Sequence, residues 1–141
     1  MYGDERMTMD AIKLIKNEEE AFWGTGASEH DIKKAQERLR LQFSDDYIEY
    51  LKLYGAAMVN GHSLTGISNS KQLDVVENTL REKKIDNRIS DDLYVIENTT
   101  MDGIIIWQTK NGMIYESSFA GIRNICKSLS DYLENYVLAK R

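Results

Sequence analysis

The chain contains no proline and a single cysteine, Cys126. One thiol cannot form an intrachain disulfide, so internal cross-linking is excluded as a source of stability. Without proline, turns and helix ends fall to glycine, serine and asparagine. No apolar run approaches the roughly 18 residues a membrane-spanning helix requires. The longest, Ile104-Ile105-Ile106-Trp107, has the length of a strand. Residues 1–10 are polar and charged and lack the apolar region of an export signal, so the expected location is the cytoplasm. In that setting the Asn98-Thr99-Thr100 sequon has no glycosylation context.

Positive charge is also scarce. Eighteen Lys and Arg stand against 23 Asp and Glu, a net charge of −5. Residues 1–104 carry 20 acidic and 13 basic side chains, whereas residues 105–141 carry 3 and 5. A nucleic-acid binder needs a positive surface to displace counterions from phosphates, so direct DNA or RNA binding is disfavoured. An acidic face suits a basic partner; mild acidity also serves solubility alone, and both readings stand.

Within these limits, 141 residues at 42% hydrophobic and 29% charged suffice for one core, and the chain reads as a single domain, 1–141. Thr8 can cap a first helix running to about Phe22, with Met9, Ile12 and Ile15 on one face. Gly24 and Gly26 then make a helix-to-helix turn. Ser28, with Asp31 three residues on, approximates a capping box for a second helix carrying Ile32, Ala35 and Leu39. Ser44 caps a third, because Asp45 and Asp46 complement the dipole of its first turn. Tyr47, Ile48, Leu51 and Tyr54 form its apolar face and Gly55 its stop.

A short strand is expected over 63–67, then a fourth helix marked by Leu73, Val76 and Leu80. The period then changes to that of strands at 93–98, 103–109 and 113–119. Asn111-Gly112 favours a type I′ turn, which places Gln108 opposite Tyr115, Trp107 opposite Glu116 and Ile106 opposite Ser117. Leu129, Tyr132, Leu133, Tyr136 and Val137 mark a closing amphipathic helix. Helices segregated from such strands mean an α+β fold, with an antiparallel or mixed sheet flanked by helices.

Catalytic signatures are missing. His30 and His62 lack metal-ligand spacing, and no serine sits in a G-x-S-x-G elbow. Gly24-x-Gly26 has no third glycine and follows an expected helix rather than a strand, so it fails as a phosphate loop. Cys126 precedes an amphipathic helix, where a buried, inert thiol is expected. The acidic runs Glu18-Glu19-Glu20, Asp45-Asp46 and Asp91-Asp92 read as caps and solvated faces, because neighbouring helical residues point apart. The expectation is a protein that is not an enzyme and uses no metal or cofactor.

Aromatic residues invite a binding role. Eight tyrosines and two tryptophans against three phenylalanines favour rings with a polar atom, which are frequent interface anchors. Tyr47, Tyr54, Tyr132 and Tyr136 lie on faces a core would use. Trp107 and Tyr115 are expected on opposite faces of the hairpin, and a sheet covered on one side buries only one of them fully. Glu97, Asp102 and Glu116 nearby could steer a basic partner or be ordinary solvated groups. These five residues form the candidate partner-binding set.

The ordered landmarks resemble the SUKH superfamily of SMI1/KNR4-like domains. They are Trp23 with Gly26-Ala27-Ser28, Ile32, Glu37, Leu39, Tyr47, Leu51, Tyr54-Gly55, Gly61 and Leu64-x-Gly66. Further matches are the run from Asp74 to Thr79, Tyr94-Val95-Ile96, Asp102-Gly103, Gly112-x-Ile114-Tyr115-Glu116 and Ser128-Leu129 with Leu133. The resemblance spans about 21–136. One departure is Ser44, where family members commonly place proline; serine caps equally well. For bacterial members the resemblance implies immunity proteins that bind and neutralise polymorphic toxins, often nucleases, by stoichiometric inhibition. It implies no shared catalytic residues. A scaffold or regulatory binding domain is the alternative function, and a small-molecule binder a third.

Overall fold

The computed structural model describes residues 10–138. Asp10 caps the first helix, its carboxylate accepting from the Ile12 amide at 3.0 Å. This helix, α1 (Ala11–Leu14), tightens into a 3-10 turn (Ile15–Asn17) and ends there. The expected helix to Phe22 is therefore corrected: Ala21–Trp23 is a strand, β1. Three successive glutamates would crowd the negative end of a helix dipole, and the bulky aromatics that follow favour extended backbone. The expected Thr8 cap lies outside the described residues. Residues 24–28 accordingly join a strand to a helix, not two helices.

Serine capping occurs as expected. Ser28 and Ser44 accept from the amides of Asp31 and Asp46, opening α2 (Glu29–Leu39) and α3 (Asp45–Tyr54). Then come β2 (Ala57–Val59), β3 (His62–Leu64), and α4 (Val75–Ile85), capped by Asp74. Strands β4 (Tyr94–Asn98), β5 (Ile105–Gln108), β6 (Ile114–Ser118) and β7 (Gly121–Cys126) follow. The last helix, α5 (Leu129–Tyr132), widens into a π-helical stretch (Leu133–Val137). All seven strands form one antiparallel sheet in chain order, β1 to β7. The α+β expectation holds. Strands β2 and β7 were not anticipated; the exposed Arg123 and Asn124 interrupt the apolar pattern of β7.

Asn-Gly occurs at two hairpins with two outcomes. Asn60-Gly61 joins β2 to β3 with φ of 51° and 86°, as a type I′ turn requires. At the β5–β6 hairpin only Gly112 has positive φ, 97°, and its amide bonds to the Thr109 carbonyl at 2.9 Å. The loop therefore has three residues rather than two, a turn followed by a left-handed glycine. The pairing slips by one residue: Trp107 lies opposite Tyr115, Ile106 opposite Glu116 and Gln108 opposite Ile114. Because side chains alternate, that slip puts Trp107 and Tyr115 on the same face, correcting the expected opposite faces.

The sheet buries apolar groups on both faces. On one side lies the main core, where α3 lays Tyr47, Tyr50 and Tyr54 beside Phe43 and Tyr94. Ring centroids are 5.1 Å apart for Phe43–Tyr47, 4.8 Å for Phe43–Tyr94 and 5.1 Å for Tyr47–Tyr94. The hydroxyls of these four tyrosines have partners: Thr65 for Tyr47, the Leu64 carbonyl for Tyr50, the Ile12 carbonyl for Tyr54, Gln108 for Tyr94. Burial drives the pKa values of Tyr47, Tyr50 and Tyr94 above the usual phenol range, so these rings stay neutral. On the other side a smaller cluster gathers Leu93, Val95, Ile105 and Trp107, with Ile89 from the segment after α4 packed against it.

Three backbones meet where β1, α3 and the loop after β3 converge. A Cβ on Gly66 would lie 1.7 Å from the Gly55 carbonyl oxygen, and one on Gly26 would lie 2.0 Å from that of Lys52. Both obstacles are main chain, which cannot swing away. Gly66→Ala is therefore expected to cost about 2 kcal/mol or more by overpacking alone, measured by urea unfolding.

Candidate protein-binding site

The hairpin residues do not form a common surface. Trp107 is fully buried, its indole N–H donating to Ser117 Oγ at 2.8 Å. Tyr115, its cross-strand neighbour, is half-buried at the margin of the smaller cluster. Glu116 points to the other face and pairs with the exposed Arg123 at 2.8 Å. Asp102 is exposed in the β4–β5 turn at φ 53°. Glu97 is only 3% exposed, which corrects its reading as a group able to meet a partner directly. It sits at a bulge in β4, where it lies opposite both Leu64 and Ile106 on the main-core side.

A buried carboxylate needs partners, and Glu97 has two. His62 Nδ1 lies 2.8 Å from Oε2, and the Tyr132 hydroxyl donates to Oε1 at 2.5 Å. His62 stands on β3, so β3, β4 and α5 are tied at one carboxylate. The hydrogen bond and charge of Glu97 raise the His62 pKa above 6.5, against partial burial, with the Tyr136 backbone adding to the rise. Burial first, then the Glu97 charge, raises that of Tyr132, so the phenol remains a donor. Burial also pushes the Cys126 thiol up to about 11, which leaves it a poor nucleophile at neutral pH. His30 is exposed at the start of α2. Among the described residues no group of three His, Cys, Asp or Glu could hold a metal ion, and no helix is long and apolar enough to cross a membrane.

Exposed aromatic surface lies at the other end of the sheet. Phe22 is 71% exposed, Trp23 46%, and Met58, the cross-strand neighbour of Phe22, 47%. The Trp23 ring meets Tyr54 edge-on at 5.8 Å, so the body of α3 holds it in place. Beside these side chains is an open depression of about 600 Å³, lined also by Ile67, Leu73 and Asp31. Its lining residues Gly24, Ala56 and Ile67 are tied to the neighbouring backbone by Gly24 N–H to Ala56 O at 3.0 Å and Ile67 N–H to Gly55 O at 3.0 Å. Residues 17–32 around it hold five carboxylates and no Lys or Arg. Such a surface has the features of recognition: large anchored rings and an excess of carboxylates, of which Glu29 is paired with Lys52 at 3.5 Å.

Phe22 and Trp23 escaped the sequence reading because a helix was expected there. Two successive aromatics on a strand must point to opposite faces, and that would have marked one as exposed. What the fold defines is a single-sheet α+β domain with exposed aromatic side chains at one edge of the sheet. The family model described as SMI1-KNR4 cell-wall matches residues 8–138, nearly the whole chain, and the protein belongs to that family. No curated protein is similar enough to count as a match.

Two measurements separate interior from surface. Trp107→Ala should cost about 3–5 kcal/mol in urea unfolding, whereas Phe22→Ala should stay within about 0.5 kcal/mol of the parent. The His62–Glu97 pair should appear as pH-dependent stability. Because the folded His62 pKa is raised, its contribution is fully present below about pH 6.5 and is lost as pH rises through the folded value. Unfolding free energies measured from pH 5.5 to 8.5 should fall across that window, and His62→Gln should remove this component of the slope.

Proposed function

We propose that this protein is an immunity protein that binds and neutralises a bacterial toxin, a nuclease with a basic surface, by stoichiometric occlusion. The observation that carries the reading is the exposure of Phe22 and Met58 on one face of the sheet edge and of Trp23 on the other, all beside one depression and flanked by the carboxylate-rich segment 17–32. Burying such rings is the main source of affinity in compact interfaces, and the surrounding negative charge speeds encounter with a cationic partner. A nuclease needs positive charge to hold nucleic acid, so an acidic inhibitor competes for the same surface. Membership of the SMI1-KNR4 family is compatible with this role. Occlusion requires no catalysis, in keeping with the buried, weakly acidic Cys126 thiol and with a His62 engaged by Glu97.

The test is co-expression with candidate toxin domains, beginning with any basic nuclease-like domain encoded next to this gene. Growth should be rescued, and the purified proteins should form a one-to-one complex at micromolar concentrations or below. Phe22→Ala with Trp23→Ala should abolish rescue while the protein remains folded. Absence of both rescue and complex with the unmodified protein would reject the reading.

A further inference from the structure

Among the described residues the β1 strand is bonded on one side only. Gly24 N–H donates to Ala56 O at 3.0 Å, and Asn60 N–H to Glu20 O at 2.9 Å. In an antiparallel ladder such bonded positions recur every second residue, so Phe22 completes the series opposite Met58. The N–H and C=O of Ala21 and Trp23 therefore face away from β2, along the outer edge of the sheet. Among the described residues neither has a neighbouring strand there, since β1 is the first strand of the sheet.

The two edges of this sheet are treated differently. Edge strand β7 is protected by the usual devices: a register irregularity opposite Ile114 and Tyr115, and exposed Arg123 and Asn124. Edge strand β1 has an unbroken register and presents Phe22 and Trp23 instead. Sequence neighbours Glu19 and Glu20 are exposed at its start, and the Asp31 carboxylate lies at the depression by its far end.

We propose that β1 is a strand-addition site: an extended basic segment of the partner pairs with the outer edge of β1 and continues the sheet. Its main chain bonds to Ala21 and Trp23, its apolar side chains cover Phe22 or enter the depression, and its Lys or Arg side chains meet the flanking carboxylates. A second copy of this chain is the wrong occupant, because it would bring the same excess of carboxylates from residues 17–32, offset only by the Lys52 that pairs with Glu29. The site is the surface of the immunity reading, and that reading supplies only the identity of the partner.

The probe is a synthetic peptide of about nine residues alternating valine and lysine, long enough for one strand, with a valine–glutamate peptide as control. Amide exchange by NMR should slow by at least about tenfold at Ala21 and Trp23 when the lysine peptide is added, and stay unchanged at Phe22. Ala21→Pro deletes one outward donor without touching the β2 ladder, and Glu19→Lys with Glu20→Lys reverses exposed charge. Each should weaken peptide binding by about tenfold while the far-ultraviolet spectrum is preserved. No protection at millimolar peptide, equal binding of the glutamate peptide, or concentration-dependent protection of the free protein would overturn the proposal. The toxin complex separates the two readings. A toxin that binds but leaves Ala21 and Trp23 unprotected sinks strand addition alone. Peptide protection at β1 with no toxin complex sinks the immunity reading and leaves the strand site.

Discussion

The carboxylate of Asp46, in the first turn of α3, joins parts of the chain that are far apart in sequence. Ser44 Oγ and Gln108 Nε2 both donate to its Oδ1, the latter at 3.1 Å, and the Leu129 amide at the start of α5 donates to Oδ2 at 2.8 Å. Gln108 is itself fully buried, accepting from the Tyr94 hydroxyl at 2.7 Å and donating to the Gly112 carbonyl at 3.1 Å. The Ser44 amide closes the circuit by donating to Tyr94 Oη at 2.8 Å. A buried amide left without these partners would cost its desolvation, so the network selects one arrangement of α3, β4, β5 and α5. It also explains the three-residue β5–β6 loop: that loop presents the Gly112 carbonyl to Gln108.

With the helices anchored in this way, the tyrosines serve as structural members. Each of the five core tyrosines Tyr47, Tyr50, Tyr54, Tyr94 and Tyr132 packs its ring and spends its hydroxyl on a named partner, which fixes orientation as well as burial. Tyr136 differs: it stacks on Tyr132 at 5.2 Å and remains 48% exposed. The exposed aromatic surface draws on another supply, the adjacent Phe22 and Trp23. A three-residue strand with one paired side has too little depth to bury both rings. Trp23 is steadied by Tyr54, so the exposed face is connected directly to the aromatic core.

Much of the fold is legible in the residues. Ser28, Ser44 and Gly55 mark helix ends through capping chemistry that acts within a few residues, and these landmarks fall where their local physics places them. Leu129 with Tyr132 and Leu133 announces the closing helix by its period, though not its π-helical widening. The candidate binding residues fare differently. Trp107 and Glu97 look available on a hairpin and a strand end, yet one lies under Ile89 and Leu93 and the other under Tyr132. Burial is a property of what packs on a residue, and those covering groups come from distant segments.

The sequence by itself determined the class of the molecule. Apolar periodicity, caps and the paucity of proline, cysteine and positive charge suffice for an α+β domain with a mildly acidic surface, because each acts locally or through composition. Only the tertiary structure decided which Asn-Gly makes the type I′ turn, which aromatic rings remain outside, and which carboxylate is spent on His62 and Tyr132. Those outcomes depend on long-range partners: Gln108 for the Gly112 loop, the sheet edge for Phe22, and α5 for Glu97. A one-residue change of register was enough to move Trp107 and Tyr115 onto one face, since side chains in a strand alternate.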